Sequence, residues 1–281
     1  MAADIPARVG HVSSPLRWAG GKRWLLPTIK ELAGDREFCA YHEPFLGGAS
    51  VFLGMPAFST SFLRDTNAEL ISTYRAIRDY PEEIAQRALT YGNDSETYYR
   101  VRDESPTAMI EKAARFLFLN HTSFNGIYRV NLEGVYNVPF GHRPSPRIPA
   151  LDHLRDVAGR LKHARLDIGD FAGCLDRIQD GDLVFLDPPY TIAHNNNGFV
   201  KYNQKIFSFE DQKRLSALID EIKGRGAYYI LANAAHESIG KLFKRRGDQW
   251  RVTWRRNSIG GINAKRGSGA EYLFSNLPTA R

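Results

Sequence analysis

Four consecutive residues, Asp187-Pro188-Pro189-Tyr190, combine a carboxylate, two prolines and an aromatic ring. Two prolines in a row remove two backbone N–H donors and stiffen φ, so the segment is a rigid patch of carbonyl acceptors beside a flat aromatic face. That chemistry suits a planar group bearing an exocyclic amine: the ring stacks on Tyr190 and the amine donates to the carboxylate and carbonyls. The alternative is a strand that ends in a sharp Pro-Pro turn with a packed Tyr190.

A second group of residues suits a nucleotide-like ligand. Glu43-Pro44-Phe45-Leu46-Gly47-Gly48-Ala49-Ser50 is a turn rich in small residues. Such a turn lets a ligand approach the backbone, and a helix opening behind it offers N–H donors. It serves equally for tight strand–helix packing. No Gly-Lys-Ser/Thr follows, so it is not a triphosphate-binding loop. Asp65 closes the next strand-like run, where a carboxylate can accept from ribose hydroxyls. Trp18-Ala19-Gly20-Gly21-Lys22 adds an aromatic ring, two glycines and a lysine near the N-terminus. These could cap an adenosyl or carboxylate group, or form an ordinary turn with Lys22 solvated.

The elements that must hold these residues are legible as alternating patterns. Leu183 to Leu186 is a short apolar run after Gly181-Asp182 and reads as a buried strand, which places Asp187 at a strand's C-terminal end, where open α/β sheets bind their ligands. Ser61 to Arg64, Ala164 to Ile168 and Tyr228 to Ala232 are further strands, Asp211 to Lys223 is an amphipathic helix, and Gln249–Trp254 with Glu271–Phe274 form a terminal strand pair. Strands alternating with helices predict a parallel or mixed sheet. Residues 75 to 150 change character: Tyr80-Pro81 breaks a helix, Glu111 to Leu119 has helical spacing, and Asn125 to Val138 reads as a β-hairpin turning at Glu133-Gly134. His142 to Pro149 carries three prolines and reads as extended. The expected organisation is therefore a sheet domain, 1–74 and 151–281, with 75–150 inserted. His194 to Gly198 is polar and reads as a mobile loop.

Composition sets looser bounds. The 281 residues are 43% hydrophobic and 25% charged, ordinary for a globular protein. No apolar run approaches the roughly 20 residues that span a bilayer, and residues 1–12 lack the apolar core of a signal peptide, so a cytoplasmic protein is expected. The net charge of +7 is compatible with nucleic-acid binding, and basic residues concentrate between Lys241 and Arg266. The two cysteines, Cys39 and Cys174, have no metal-site spacing and read as core positions. The eight histidines show no ligand spacing either, and no metal is expected.

In this order and spacing the motifs resemble those of the Dam-type (D12 class) DNA adenine-N6 methyltransferases, over about Leu16 to Leu277. The segments that carry the resemblance are Trp18–Lys22, Glu43–Ser50, Asp65-Thr66-Asn67, Asn125–Gly141 and Asp187–Tyr190. It implies a Rossmann-like α/β methyltransferase sheet with an inserted, mostly helical target-recognition domain carrying a β-hairpin. The implied cofactor is S-adenosylmethionine, held by Trp18, Ala19, Gly20, Gly21 and Lys22 at its methionine end and by Phe45, Gly47, Gly48, Ala49 and Ser50. Asp65 would hold the ribose, Asp170 and Phe171 the adenine, and Asp187 would border both ligands. Asp170-Phe171 fits a strand-end turn with a core phenylalanine equally well. For DNA the resemblance implies Arg17, Phe124, Asn125, Ile127, Arg129, Asn131 and Pro139. Phe124 would wedge into the base stack, Arg129 would pair with guanine, and Ile127 and Pro139 would touch a thymine methyl. Without the resemblance, a hairpin packed on its own helices with Arg129 solvated is preferred. Ala49 departs from the family's usual glycine and is tolerated there if its φ is negative.

The implied reaction is methyl transfer to N6 of an adenine flipped out of duplex DNA, with GATC the leading expectation for the sequence read. Asp187, Pro188, Pro189 and Tyr190 would position the base, and no covalent intermediate is needed. An N4-cytosine or RNA-base methyltransferase is the nearest alternative, and a catalytically inactive, sequence-specific DNA-binding protein the alternative from another class. A monomer is expected; a cognate restriction endonuclease as companion, a phage setting and solitary action stay open.

Overall fold

The computed structural model describes residues 11–131, 133–190, 207–245, 247–256 and 268–278. Seven strands, β1 (Tyr41–Glu43), β2 (Ser61–Asp65), β3 (Ala164–Ile168), β4 (Leu183–Leu186), β5 (Tyr228–Ala234), β6 (Gln249–Arg256) and β7 (Ser268–Ser275), form one sheet in the order β3-β2-β1-β4-β5-β7-β6. β1 runs parallel to β2 and β4, and β4 parallel to β5, whereas β7 is antiparallel to β5 and β6. The strand order reverses between β1 and β4, and such a reversal opens a crevice at the strands' C-terminal ends.

The chain forms two compact units: residues 1–26, 47–57 and 67–168 make one, and residues 27–46, 58–66 and 169–281 the other. Helices α1 (Leu26–Ala33) and α2 (Ser50–Gly54) flank β1 in sequence. The first unit is otherwise built on α3 (Ala68–Asp79), α4 (Pro81–Leu89), α5 (Ser95–Asp103), α6 (Met109–Thr122) and α7 (Leu151–Leu161). Asn67 caps α3 by accepting the Leu70 N–H, and the chain breaks at Tyr80 because Pro81 starts the next helix at its first position. α6 is the hub: α3, α4 and α5 all pack on it. Its last turn, Asn120-His121-Thr122, is polar yet buried.

In the second unit β4 is buried at all four positions. Val184 and Leu186 face a core shared with Tyr229 and Leu231 of β5 and with Leu215, Leu218, Ile219 and Ile222 of α8 (Phe209–Gly224). Ser208 and Asp211 cap α8 reciprocally, side chain to backbone in both directions. A short α9 (Glu237–Phe243) follows β5, with Ile239 and Phe243 in the same core.

Two expectations change. Cys174 is buried, but Cys39 is exposed; it sits in the turn before β1, beside Gly181, where an exposed thiol carries no packing role. The expected hairpin over Asn125–Val138 is not a two-stranded ladder. The chain doubles back through isolated bridges, Val130↔Tyr136 and Ser123↔Phe140, with Asn131 accepting the Glu133 and Val135 N–H groups on its side-chain oxygen at 3.0 and 2.9 Å. One side of the returning segment, Tyr136, Val138 and Phe140, is buried against Tyr98, Val101 and Phe118. Residues His194–Gly198, Arg246, Lys265 and Arg266 lie outside the described residues. Among the described residues no helix is long and apolar enough to cross a membrane, and no cluster of metal-ligating side chains occurs.

Candidate active site

In the second unit, β4 ends at Leu186 and delivers Asp187 and Tyr190 half-buried, with Pro188 buried between them. Neighbouring β1 ends at Glu43, whose carboxylate is buried and accepts the Tyr41 hydroxyl at 2.7 Å. The acceptor patch therefore stands where the strand order reverses. Phe45, just past β1, stacks on Phe171 at 5.2 Å between centroids, and Phe207 meets both rings edge-on or tilted at 5.6 and 5.7 Å. This aromatic wall is continuous with the Asp170 carboxylate. Asp170 Oδ1 accepts the Ala172 N–H at 3.0 Å and Arg214 of α8 at 2.7 Å, and the Arg214 guanidinium lies 4.8 Å above the Phe171 ring. Asp65 closes β2, and its carbonyl accepts the Gly169 N–H at 3.0 Å, so the ends of two acidic turns are tied together.

In the first unit, Trp18 lies against the glycine turn. A Cβ on Gly47 would stand 2.8 Å from the Trp18 ring nitrogen, and one on Gly48 would stand 2.7 Å from Trp18 Cβ. Both glycines are thus required by the Trp18 side chain. Ala49 has φ +51°, which overturns the negative φ on which its tolerance was argued: an L-residue is held in the left-handed region, at a cost of roughly 1–2 kcal/mol, in a buried position immediately before α2. Lys22 is 2% exposed rather than solvated. Its backbone N–H donates to Ser50 Oγ at 3.0 Å and its ammonium to the Gly20 carbonyl at 2.8 Å. A cavity of about 280 Å³ in this unit is lined by Ser14, Trp18, Gly21, Gly48 and Ser50 among others, and Ala19 is exposed.

The same unit carries the residues expected to meet DNA. Phe124 is 51% exposed, and Asn125, Arg129, Asn131 and Pro139 are exposed as well, with Ile127 half-buried. The Arg129 guanidinium is exposed on a segment that packs on its own helices, and it also donates to Asn137 Oδ1 at 2.8 Å and to the Asn137 carbonyl at 3.2 Å, across the doubled-back segment. Arg17 donates to the Asn125 carbonyl at 3.3 Å. The residues that sequence reasoning missed are the partners, Asn120, Tyr128 and Arg214, each of which acts on a site residue distant in the chain. Tyr128 stacks on Trp18 at 5.7 Å; its place in an alternating aromatic run was the one local signal available.

Asp187-Pro188-Pro189-Tyr190 thus leaves β4 at the reversal point of an α/β sheet, beside the end of β1. The family model of the D12 class N6 adenine-specific DNA methyltransferases matches residues 18–259, and the chain belongs to that family. It is 32% identical over 238 residues to the Type II methyltransferase M1.LlaDCHI of Lactococcus lactis subsp. cremoris, covering 81% of this chain and 83% of the relative. It is 30% identical over 252 residues to the Type II methyltransferase M.MjaIII of Methanocaldococcus jannaschii, covering 82% and 87%. The DNA adenine methylase of Escherichia coli K12 is 33% identical over 224 residues, covering 78% and 79%. The protein is an adenine-specific DNA methyltransferase.

Proposed function

We propose that this enzyme transfers a methyl group from S-adenosylmethionine to N6 of an adenine extruded from double-stranded DNA, acting as a monomer, with GATC as the sequence read. The observation that carries the reading is Asp187-Pro188-Pro189-Tyr190 at the C-terminal end of β4, beside the end of β1. Bound S-adenosylmethionine supplies an electrophilic methyl on a sulfonium. The residues present fit that cofactor: in the first unit the polar cavity lined by Ser13, Ser14, Trp18, Arg23 and Ser50 suits an amino-acid end, and in the second the Phe45–Phe171–Phe207 wall with Asp170 suits an aminopurine. Asp65 accepts from the ribose hydroxyls.

The rest is positioning and electrostatics. Tyr190 stacks on the extruded base. The Asp187 carboxylate and the Pro188 carbonyl accept hydrogen bonds from the two N6–H groups, which turns the nitrogen lone pair outward and stabilises the positive charge that grows on N6 as the new bond forms. Once the new C–N bond has formed, one N6 proton is released to water, which leaves neutral N6-methyladenine. Phe124 fills the gap left in the stack. Arg129, pre-aimed by Asn137, reads guanine, and Ile127 and Pro139 contact a thymine methyl. Asp187→Ala lowers single-turnover methyl transfer by at least about 100-fold, with DNA affinity held within a few-fold in a gel-shift titration. Transfer at the wild-type rate in that variant rules the mechanism out.

A further inference from the structure

The segment that carries Trp18 is fastened to the segment that carries Phe124 and Arg129. Asn120 stands on the last turn of α6 at 3% exposure. Its carboxamide brackets the backbone of Arg17 from both ends: the Arg17 N–H donates to Oδ1 at 2.7 Å, and Nδ2 donates to the Arg17 carbonyl at 2.8 Å. Two bonds to one residue fix its rotation as well as its position. Next in the chain, His121 donates from Nε2 to the Pro15 carbonyl at 2.8 Å. The strap Pro15–Trp18 is therefore held along its length by the end of one helix.

Its other side meets the turn that follows α6. The Arg17 side chain lies where a Cβ on Gly126 would be, 2.8 Å from Nε, so the turn Phe124–Gly126 closes around it. Asn125 and Gly126 both take positive φ, +56° and +63°, to do so. Trp18 stacks on Tyr128 with 24° between planes, and the Tyr128 hydroxyl donates to Glu69 at 2.9 Å. Arg17 faces the turn that bears Phe124 while Trp18 faces the cavity and the glycine turn. Asn120 fixes the Arg17 backbone, next to Trp18 in the chain, from both ends.

We propose that Asn120 is a positioning residue that locks the strap Arg17–Trp18 to the DNA-facing turn Phe124–Tyr128, so that the cofactor and duplex DNA bind with positive cooperativity. The inference rests on the proposed roles of Trp18 and Phe124. A ligand that orders one side of the strap orders the other, and the second ligand then pays less of that ordering cost. Linkage makes the effect reciprocal.

The test uses the whole chain, unreactive S-adenosylhomocysteine and a short unmodified duplex carrying the methylated motif. Calorimetry gives the Kd of each ligand alone and with the other at saturation. In the wild type each ligand tightens the other by the same factor, at least about 5-fold. Asn120→Asp keeps the acceptor for the Arg17 N–H but turns an oxygen toward the Arg17 carbonyl; Tyr128→Leu removes the stack on Trp18. In both variants the factor falls toward one, whereas a purely structural role lowers the melting temperature and leaves the factor intact. A wild-type factor of one overturns the coupling without recourse to any variant, as does an unchanged factor in the folded variants. A wild type that binds neither ligand defeats the functional reading itself, a different outcome from two ligands that bind independently.

Discussion

At Gly47 two demands meet in one residue: φ is +46°, and the space a Cβ would take holds the Trp18 indole at 2.8 Å. Gly47→Ala therefore strains the backbone and overpacks the contact, and it should cost about 1–3 kcal/mol, read as a lower urea midpoint at constant m. The same change should also weaken cofactor binding, because Trp18 must move. A midpoint equal to wild type contradicts the packing described. Ala49, two residues on, shows what sequence could and could not give here. The Gly-Gly-Ala-Ser turn is recognisable in the sequence as a close-approach turn, and one group it admits is the Trp18 side chain. Tolerance of an alanine there rested on a negative φ, and the observed value is +51°. Asp187 and Tyr190 were legible outright: an apolar strand delivers its next residues to the sheet's end wherever it sits.

At the scale of elements, the doubled-back segment 125–138 is shaped by side chains more than by a ladder. Asn131 Oδ1 gathers two backbone N–H groups, and Asn137 holds Arg129 across the gap. Asn131, a residue expected to meet DNA, also has the contacts of a turn former. Asn131→Ala should release the turn and misplace Arg129, weakening sequence discrimination by several-fold in competition binding while the cofactor Kd stays unchanged. Loss of cofactor affinity with discrimination intact contradicts that role. The strands were legible where the run was apolar: β3 and β4 match the expected spans residue for residue. β7 begins three residues before the expected Glu271, since Ser268, Gly269 and Ala270 carry no strand propensity and pair with β6 all the same. The last turn of α6 was missed for a related reason. Asn120 and His121 look like surface residues, and their burial comes from Arg17 and Pro15, 103 and 106 residues away.

At the scale of the whole molecule, two buried imidazoles set how stability responds to pH. Burial holds His42 below its ordinary range despite the Asp182 carboxylate at 2.8 Å, and burial likewise lowers His121. In the unfolded chain both take up protons near the ordinary value of 6.5, so on acidification the unfolded state binds protons first. The stability contributed by the neutral rings is fully present above that value and is lost as pH falls from about 6.5 toward the lower folded values. Melting temperature should be level between about pH 7 and 8 and should drop below about pH 6.5; a rise on acidification contradicts the burial of both rings. The alternation of elements made an α/β sheet legible, but not the reversed β7 placed between β5 and β6, which depends on pairing across the sheet rather than on any local pattern. The proposed chemistry is tested by incubating the enzyme and S-adenosylmethionine with unmethylated duplex DNA and reading every modified base in its sequence context. N6-methyladenine confined to one short motif is the expected result. Methylcytosine, or N6-methyladenine scattered without regard to sequence, contradicts it.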